Sequence, residues 1–232
     1  MVNIDNILSE IEEDKSWREA DLNFLENQLL NESDENIQKL ITKPLILLLY
    51  ANFEGHIKFI FQAYIRAINA ENLTCNQVIY PLVASNLSGT FNDFKNPQRK
   101  PKPKKDLIFK KEHPQEFVEL GRRIELLENL DTVLGLQINL NPDQIADTES
   151  NLTQIVMKKV VFRLGFDDSF IDTKLEEVIG KLLNFRNKIA HGSKYKGWTI
   201  REYNEVKADV ELAFKAVRNE VLTNLVDSKY LK

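Results

Sequence analysis

Three side chains that can handle protons and phosphate charge lie close together in the chain: Arg186, Asn187 and His191, followed by Gly192. On an ideal helix, residues five apart point about 140° away from each other, so an unbroken helix would separate the arginine from the histidine. Gly192 is typical of a helix end. We therefore predict that a helix stops between Arg186 and His191, which lets both side chains face one groove.

This combination fits cleavage of RNA without a metal ion. The C-terminal end of a helix is the negative end of its dipole, which favours a protonated histidine, and imidazole carries protons near neutral pH. A guanidinium offers a fixed fork of N–H donors for phosphate oxygens. In RNA the 2′-hydroxyl attacks the adjacent phosphate, so the protein need only move protons and stabilise charge. The structural alternative is that the histidine simply caps the last carbonyl groups of the helix.

Sequence motifs of other enzyme classes are missing. The chain has no glycine-rich phosphate loop, no His-Glu-x-x-His, no cysteine pair and no Gly-x-Ser-x-Gly. Glu54 and His56 are two residues apart and so point about 200° away from each other on a helix, which does not make a Glu-x-x-His metal face. We therefore predict neither a metal nor another cofactor.

The elements that must position these residues are helices. Apolar residues recur at spacings of three and four over most of the chain, and eight glycines and seven prolines are too few for the turns of many short strands. We predict an all-α, antiparallel helical bundle that forms one domain over residues 1–232. The most apolar helix, residues 45–70, should be central, with Pro44 in its first turn. Predicted helix starts are Thr74 with Gln77, Ser150, Asp172 or Thr173, and Thr199 with Glu202.

A basic loop interrupts this pattern at about residues 85–113, where periodicity is lost. Eight positive residues and one aspartate lie between Lys95 and Lys111, a local charge of +7 in a chain of net charge −4. We predict that four lysines of this loop follow RNA phosphates or dock an acidic antitoxin. These are Lys100, Lys102, Lys104 and Lys105. The alternative is that the run of charge is only a solvated, flexible loop.

The chain shows no sign of export or membrane insertion. Its one cysteine, Cys75, cannot form an internal disulfide, and the first fifteen residues are acidic, unlike a signal or transit peptide. The longest apolar run, residues 45–51, is far shorter than the ~20 residues that cross a bilayer. We expect a cytoplasmic protein without a membrane span. The sequence of residues 130–149 is compatible with a helix, a loop or a small hairpin.

The motif Arg186-Asn187-x-x-x-His191 at a helix end, inside a bundle of antiparallel helices, resembles the HEPN superfamily (higher eukaryotes and prokaryotes nucleotide-binding). Catalytic members of that superfamily carry an Arg-x4-6-His motif. The chain is most similar to stand-alone prokaryotic HEPN proteins, which are predicted RNases of defence or toxin systems. Their second helix carries an aromatic-x-x-Glu-Gly-like pattern, which the segment from Tyr50 to Gly55 approaches.

The resemblance implies a role for each matching residue. It assigns acid–base work to His191, phosphate binding to Arg186, and the orientation of one or the other to Asn187. Glu54 would pair with Arg186 or His191 across the bundle, or else be a solvated helix charge. Lys194 would line the cleft, or else lie in a surface turn. In the family two motifs meet across a homodimer, so the resemblance implies a homodimer, RNA as partner, and an antitoxin or nucleotidyltransferase as a further partner.

Two functions of different classes follow. The first is a metal-independent endoribonuclease, acting as a toxin or defence effector. The second is a non-catalytic HEPN module that binds a nucleotide or a partner protein and keeps the motif for structure. RNA incubated with the protein in EDTA separates them, because only the first yields 2′,3′-cyclic phosphate ends.

Overall fold

The computed structural model describes residues 2–99, 115–192 and 197–232. Within these ranges the chain forms ten α-helices, a 3-10 turn at Asp168–Phe170 and isolated β-bridges, but no strand. The predicted all-α class is therefore confirmed. The helices are α1 (Ile4–Leu30), α2 (Glu35–Ala70), α3 (Tyr80–Asn86), α4 (Ser88–Lys95), α5 (Gln115–Glu128), α6 (Leu130–Leu134), α7 (Pro142–Ile145), α8 (Gln154–Leu164), α9 (Thr173–Ala190) and α10 (Ile200–Val226).

The helix α2 is the centre of the bundle and packs against α1, α9 and α10. Apolar side chains are buried all along its length from residue 45 to residue 68, which explains why it takes the central position. α1 runs antiparallel to it, because Glu10 near the start of α1 bonds Arg66 near the end of α2. Further along α1 and earlier in α2, Asp14 bonds His56, as antiparallel helices require.

The helices α9 and α10 form an antiparallel pair beside α2, in which Lys174 at the start of α9 contacts Asp209 on α10. Asp172 caps α9 through its side chain. Thr199 and Glu202 form a complete capping box at the start of α10. Both helix starts are as the sequence predicts, because each cap satisfies backbone N–H groups that the first helical turn leaves without partners.

Pro44 lies inside α2, so the prediction that it occupies the first turn is wrong. The helix begins earlier, at Glu35, after the cap Asp34. An internal proline removes a helical hydrogen bond at a cost of about 3 kcal/mol. This part of α2 is anchored by Thr42, whose hydroxyl donates to the carbonyl of Trp198 at 2.9 Å and accepts its N–H at 3.0 Å.

Two other predicted helix starts are also wrong. Thr74 and Gln77 do hydrogen-bond each other, but they close a turn, and α3 begins only at Tyr80, where a proline occupies its first turn. Ser150 has a φ of +62°, in the left-handed region, whereas a cap residue needs an extended backbone. Thr153 caps α8 in its place.

The loop predicted for residues 85–113 is partly wrong, since α4 occupies Ser88–Lys95. Such a short helix with no buried side chain leaves little periodicity to read. Residues 100–114 lie outside the described residues. Residues 130–149, for which the sequence predicts no single structure, contain α6 and α7, and α8 follows them. α7 packs against α2. Among the described helices, none has the length and apolar character to span a bilayer.

Candidate functional site

The helix α9 ends between Arg186 and His191, as the sequence predicts, but only at the last position before the histidine. The helix runs to Ala190, and His191 is its C-terminal cap, with its backbone N–H bonded to the carbonyl of Asn187 at 3.0 Å. Gly192 then adopts a φ of +67°, which other residues rarely accept, and so turns the chain out of the helix. Because the helix is unbroken from Arg186 to Ala190, its backbone still directs the Arg186 and His191 side chains about 140° apart, so that the two face one groove stays a prediction.

Arg186 lies half-buried on the last full turn of α9, where two contacts fix it. Its Nη1 donates a hydrogen bond to Oδ1 of Asn187 at 2.9 Å. Its guanidinium carbon lies 5.7 Å from the ring centroid of Tyr50 on α2, a cation–π contact. The ring contact consumes none of the in-plane N–H donors, so most of the guanidinium fork stays available for an anion.

His191 lies five residues further along, with its side chain exposed to solvent. Asn187 is half-buried beside Arg186. A groove of about 660 Å³ between α3 and α8 is lined by none of these residues. The candidate site is therefore the exposed end of α9, where a fixed guanidinium is followed by an accessible imidazole.

Glu54 lies on the same side of α2 as Tyr50, because the two are four residues apart on one helix. Its carboxylate accepts a hydrogen bond from the hydroxyl of Thr148, a buried residue between α7 and α8, at 2.6 Å. The described residues show no ion pair between Glu54 and Arg186 or His191, so the expected direct pairing is not seen. Glu54 instead shares one side of α2 with Tyr50, whose ring contacts Arg186.

The hydroxyl of Tyr50 also lies in this region, and the sequence pattern predicts no role for it. It accepts the backbone N–H of Leu152 at 3.1 Å. Burial and the neighbouring carboxylate of Glu54 raise the pKa of Tyr50 to about 12, against the smaller opposing effects of that N–H and of Arg186. At neutral pH the phenol therefore keeps its proton. The four-residue spacing of Tyr50 and Glu54 was the signal available in the sequence.

The opposite side of α2 carries a separate polar cluster, as the 200° between Glu54 and His56 predicts. Nδ1 of His56 lies 2.7 Å from a carboxylate oxygen of Asp14 on α1, and Nε of Arg18 bonds the same oxygen at 2.8 Å. Gly55 makes room for this arrangement, since a Cβ there would lie 2.4 Å from the guanidinium of Arg18. These residues tie α1 to α2 and do not join the site at α9.

The five predicted RNA-binding lysines, Lys100, Lys102, Lys104, Lys105 and Lys194, all lie outside the described residues. Across residues 2–99, 115–192 and 197–232, no group of three or more His, Cys, Asp or Glu side chains is arranged to hold a metal ion. At the end of α9 the described residues supply a guanidinium, an amide and an imidazole.

A comparison with known proteins finds a family of the superfamily that the motif resembles. A family model described as MAE_28990-like HEPN matches residues 7–230, which include α2 and the whole segment from Arg186 to His191. No curated protein and no solved structure matches the chain. The match covers nearly the entire chain and agrees with the all-helical fold. The chain belongs to the MAE_28990-like HEPN family.

Proposed function

We propose that the protein is a metal-independent endoribonuclease with its catalytic groups at the end of α9. The observation that carries this proposal is the arrangement of Arg186, which is fixed by Tyr50 and Asn187 yet keeps N–H donors unused by the described residues, five residues before the exposed imidazole of His191. This arrangement supplies an anion clamp and a proton carrier to the same helix end.

In the proposed reaction, the 2′-oxygen of one nucleotide attacks its own 3′-phosphate as its proton passes to imidazole. The bond from phosphorus to the 5′-oxygen of the next nucleotide breaks, and that oxygen takes up a proton. The products are a 2′,3′-cyclic phosphate and a 5′-hydroxyl. Arg186 stabilises the charge on the phosphate oxygens, and Asn187 holds the guanidinium in place. Glu54 of α2, whose carboxylate accepts a hydrogen bond from Thr148, is the fourth residue of the proposed catalytic site.

One chain supplies one imidazole from this motif, whereas the reaction needs one proton removed and another delivered. We therefore propose that two chains combine their α9 ends in a homodimer, which brings two imidazoles to one cleft. In a cell, such an enzyme would act as a toxin or defence effector held in check by a partner protein. Growth arrest on expression of the wild type, relieved by His191→Ala, tests this setting.

Cleavage of RNA by the purified protein in EDTA tests the chemistry. We expect fragments with 2′,3′-cyclic phosphate ends from the wild type, and a loss of cleavage of about 100-fold or more in His191→Ala and in Arg186→Ala. Asn184→Ala changes an exposed residue of the same helix and should cleave like the wild type. Unfolding curves of all four proteins check that the fold is retained.

Two results would contradict the proposal. Intact RNA in the wild-type reaction would favour a module that binds a nucleotide or a partner without catalysis. An unchanged rate in the His191→Ala protein would remove the imidazole from the mechanism.

A further inference from the structure

Tyr50 connects three parts of the bundle at the candidate site. Its side chain leaves the middle of α2 and is 4% exposed. The face of its ring lies against Arg186 of α9, and its hydroxyl accepts the N–H of Leu152 in the connection before α8. A buried tyrosine hydroxyl usually finds a hydrogen-bond partner, so the feature that sets Tyr50 apart is the contact of its ring with a guanidinium.

The ring is suited to holding an arginine that must bind something else. A hydrogen-bonding partner such as a carboxylate would occupy the N–H groups of Arg186 and neutralise its charge. An aromatic face attracts the guanidinium through its flat side and leaves the edge free. Among the described residues, Asn187 alone accepts a hydrogen bond from this guanidinium. The remaining donors keep both their charge and their directions.

The hydroxyl fixes the ring to a third element. The backbone N–H of Leu152 donates to the phenol oxygen at 3.1 Å, which ties the tip of the side chain to the connection before α8. Since Tyr50 is held at both ends, on α2 and before α8, the fold sets the position of its ring against Arg186.

We propose that Tyr50 is the positioning residue of this site, with its ring placing the Arg186 guanidinium for phosphate. Tyr50 is too deeply buried to touch a substrate, so it acts through Arg186. Its part in cleavage rests on the ribonuclease function proposed above. Its arrangement with Arg186 exists in the free protein and can be tested without RNA.

The first test is nuclear magnetic resonance of the Arg186 Nε–H group in the free protein, assigned by its loss in Arg186→Lys. A proton held over an aromatic face resonates upfield. We expect this upfield position in the wild type and in Tyr50→Phe, and its loss in Tyr50→Leu. Tyr64→Leu removes another buried tyrosine of α2 and should leave the resonance in place. If Tyr50→Leu does not fold, Tyr50→Met replaces it.

The second test is binding of a non-cleavable 2′-O-methyl RNA. The Tyr50→Leu protein should bind this RNA about tenfold more weakly than the wild type, because its Arg186 guanidinium is misplaced. Tyr50→Phe, which keeps the ring, should bind within about twofold of the wild type. In an Arg186→Ala background, Tyr50→Leu should cause no further loss, because the residue through which it acts is gone. A purely structural tyrosine would give the same loss in both backgrounds.

The outcomes separate the two proposals. An Arg186 resonance that does not move in Tyr50→Leu, or additive losses in the double variant, would overturn the role of Tyr50. A wild type that neither binds nor cleaves RNA would overturn the ribonuclease function, while the position of the Arg186 resonance would still decide whether Tyr50 places the guanidinium.

Discussion

Two neighbouring residues of α2 show how spacing on a single helix separates two polar clusters. Glu54 faces the connection before α8 and bonds Thr148. His56, two residues later, faces α1 and bonds Asp14. The two clusters lie on opposite sides of the most buried helix of the bundle, so a change in the second cluster should alter stability without rearranging the groups proposed for catalysis.

Asp14→Asn tests the stabilising role of the cluster between α1 and α2. It leaves the guanidinium of Arg18 without its charged partner, and we expect the free energy of unfolding at pH 7 to fall by about 3 kcal/mol. Although burial alone would raise it, hydrogen bonds from His56 and Arg18 hold the pKa of Asp14 below its usual value of 3.8. Urea unfolding of both proteins between pH 7 and pH 2 measures the difference.

The sign of the pH effect follows from that lowered pKa. A carboxyl group whose pKa is depressed by folding stabilises the protein above its unfolded pKa, and this contribution is lost as the pH falls through the folded value. The stability gap between wild type and Asp14→Asn should therefore narrow as the pH falls below 3.8. Asp143→Asn, at an 82% exposed side chain, should show no such narrowing. A gap that is constant with pH would contradict the assignment.

The residues of the candidate site differ in how far the sequence predicts them. Arg186, Asn187 and the helix end at Gly192 follow from local spacing. The contacts of Glu54 and Tyr50 do not, because Thr148 and Leu152 lie 94 and 102 residues further along the chain. Hydrogen bonds over such distances leave no periodic signal, and the segment that supplies them contains only short helices.

The connection from α9 to α10 depends on the backbone freedom of two glycines. Gly192 and Gly197 both have positive φ values, +67° and +82°. A Cβ on Gly192 would meet no atom of the described residues within 4 Å, whereas one on Gly197 would lie 1.8 Å from the backbone carbonyl oxygen of Lys39. The second glycine thus permits the close approach that brings the start of α10 against the N-terminal part of α2.

Substitution of each glycine by alanine separates strain from packing. We expect Gly192→Ala to lower the free energy of unfolding by about 1 kcal/mol, the cost of the left-handed backbone alone. Gly197→Ala should cost about 3 kcal/mol or more, because a rigid backbone atom must also move. Urea unfolding measures both. Equal losses would mean that the approach to Lys39 does not limit this connection.

At the level of elements, helices with long periodic apolar faces are predicted well and short ones are not. The cores of α1, α2, α9 and α10 follow from spacing and caps, since these faces must be buried against one another. The start of α2 does not, because burial and the contact of Thr42 with Trp198 outweigh the tendency of Pro44 to begin a helix. α4, α6 and α7 bury too few side chains to leave a pattern.

The charge of the whole molecule sets a condition on RNA binding. The net charge of −4 combines +7 between Lys95 and Lys111 with −11 over the rest of the chain. An acidic body repels a polyanion, so association must be led by a local basic surface. The segment between Lys95 and Lys111 is the part of the sequence in which positive charge is most concentrated.

Neutralising Lys100, Lys102, Lys104 and Lys105 together to glutamine tests whether that segment contacts RNA. Each phosphate contact to single-stranded RNA adds about 0.7 to the slope of log affinity against log salt concentration, so four contacts should flatten the slope by about 3. Binding of the non-cleavable RNA at several salt concentrations measures the slope. The control removes the same charge elsewhere, at Lys158, Lys159, Lys174 and Lys215. The salt dependence should become weaker only in the first variant, because lysines far from the phosphates displace no counterions. An unchanged slope in the first variant would mean that the basic segment does not contact RNA.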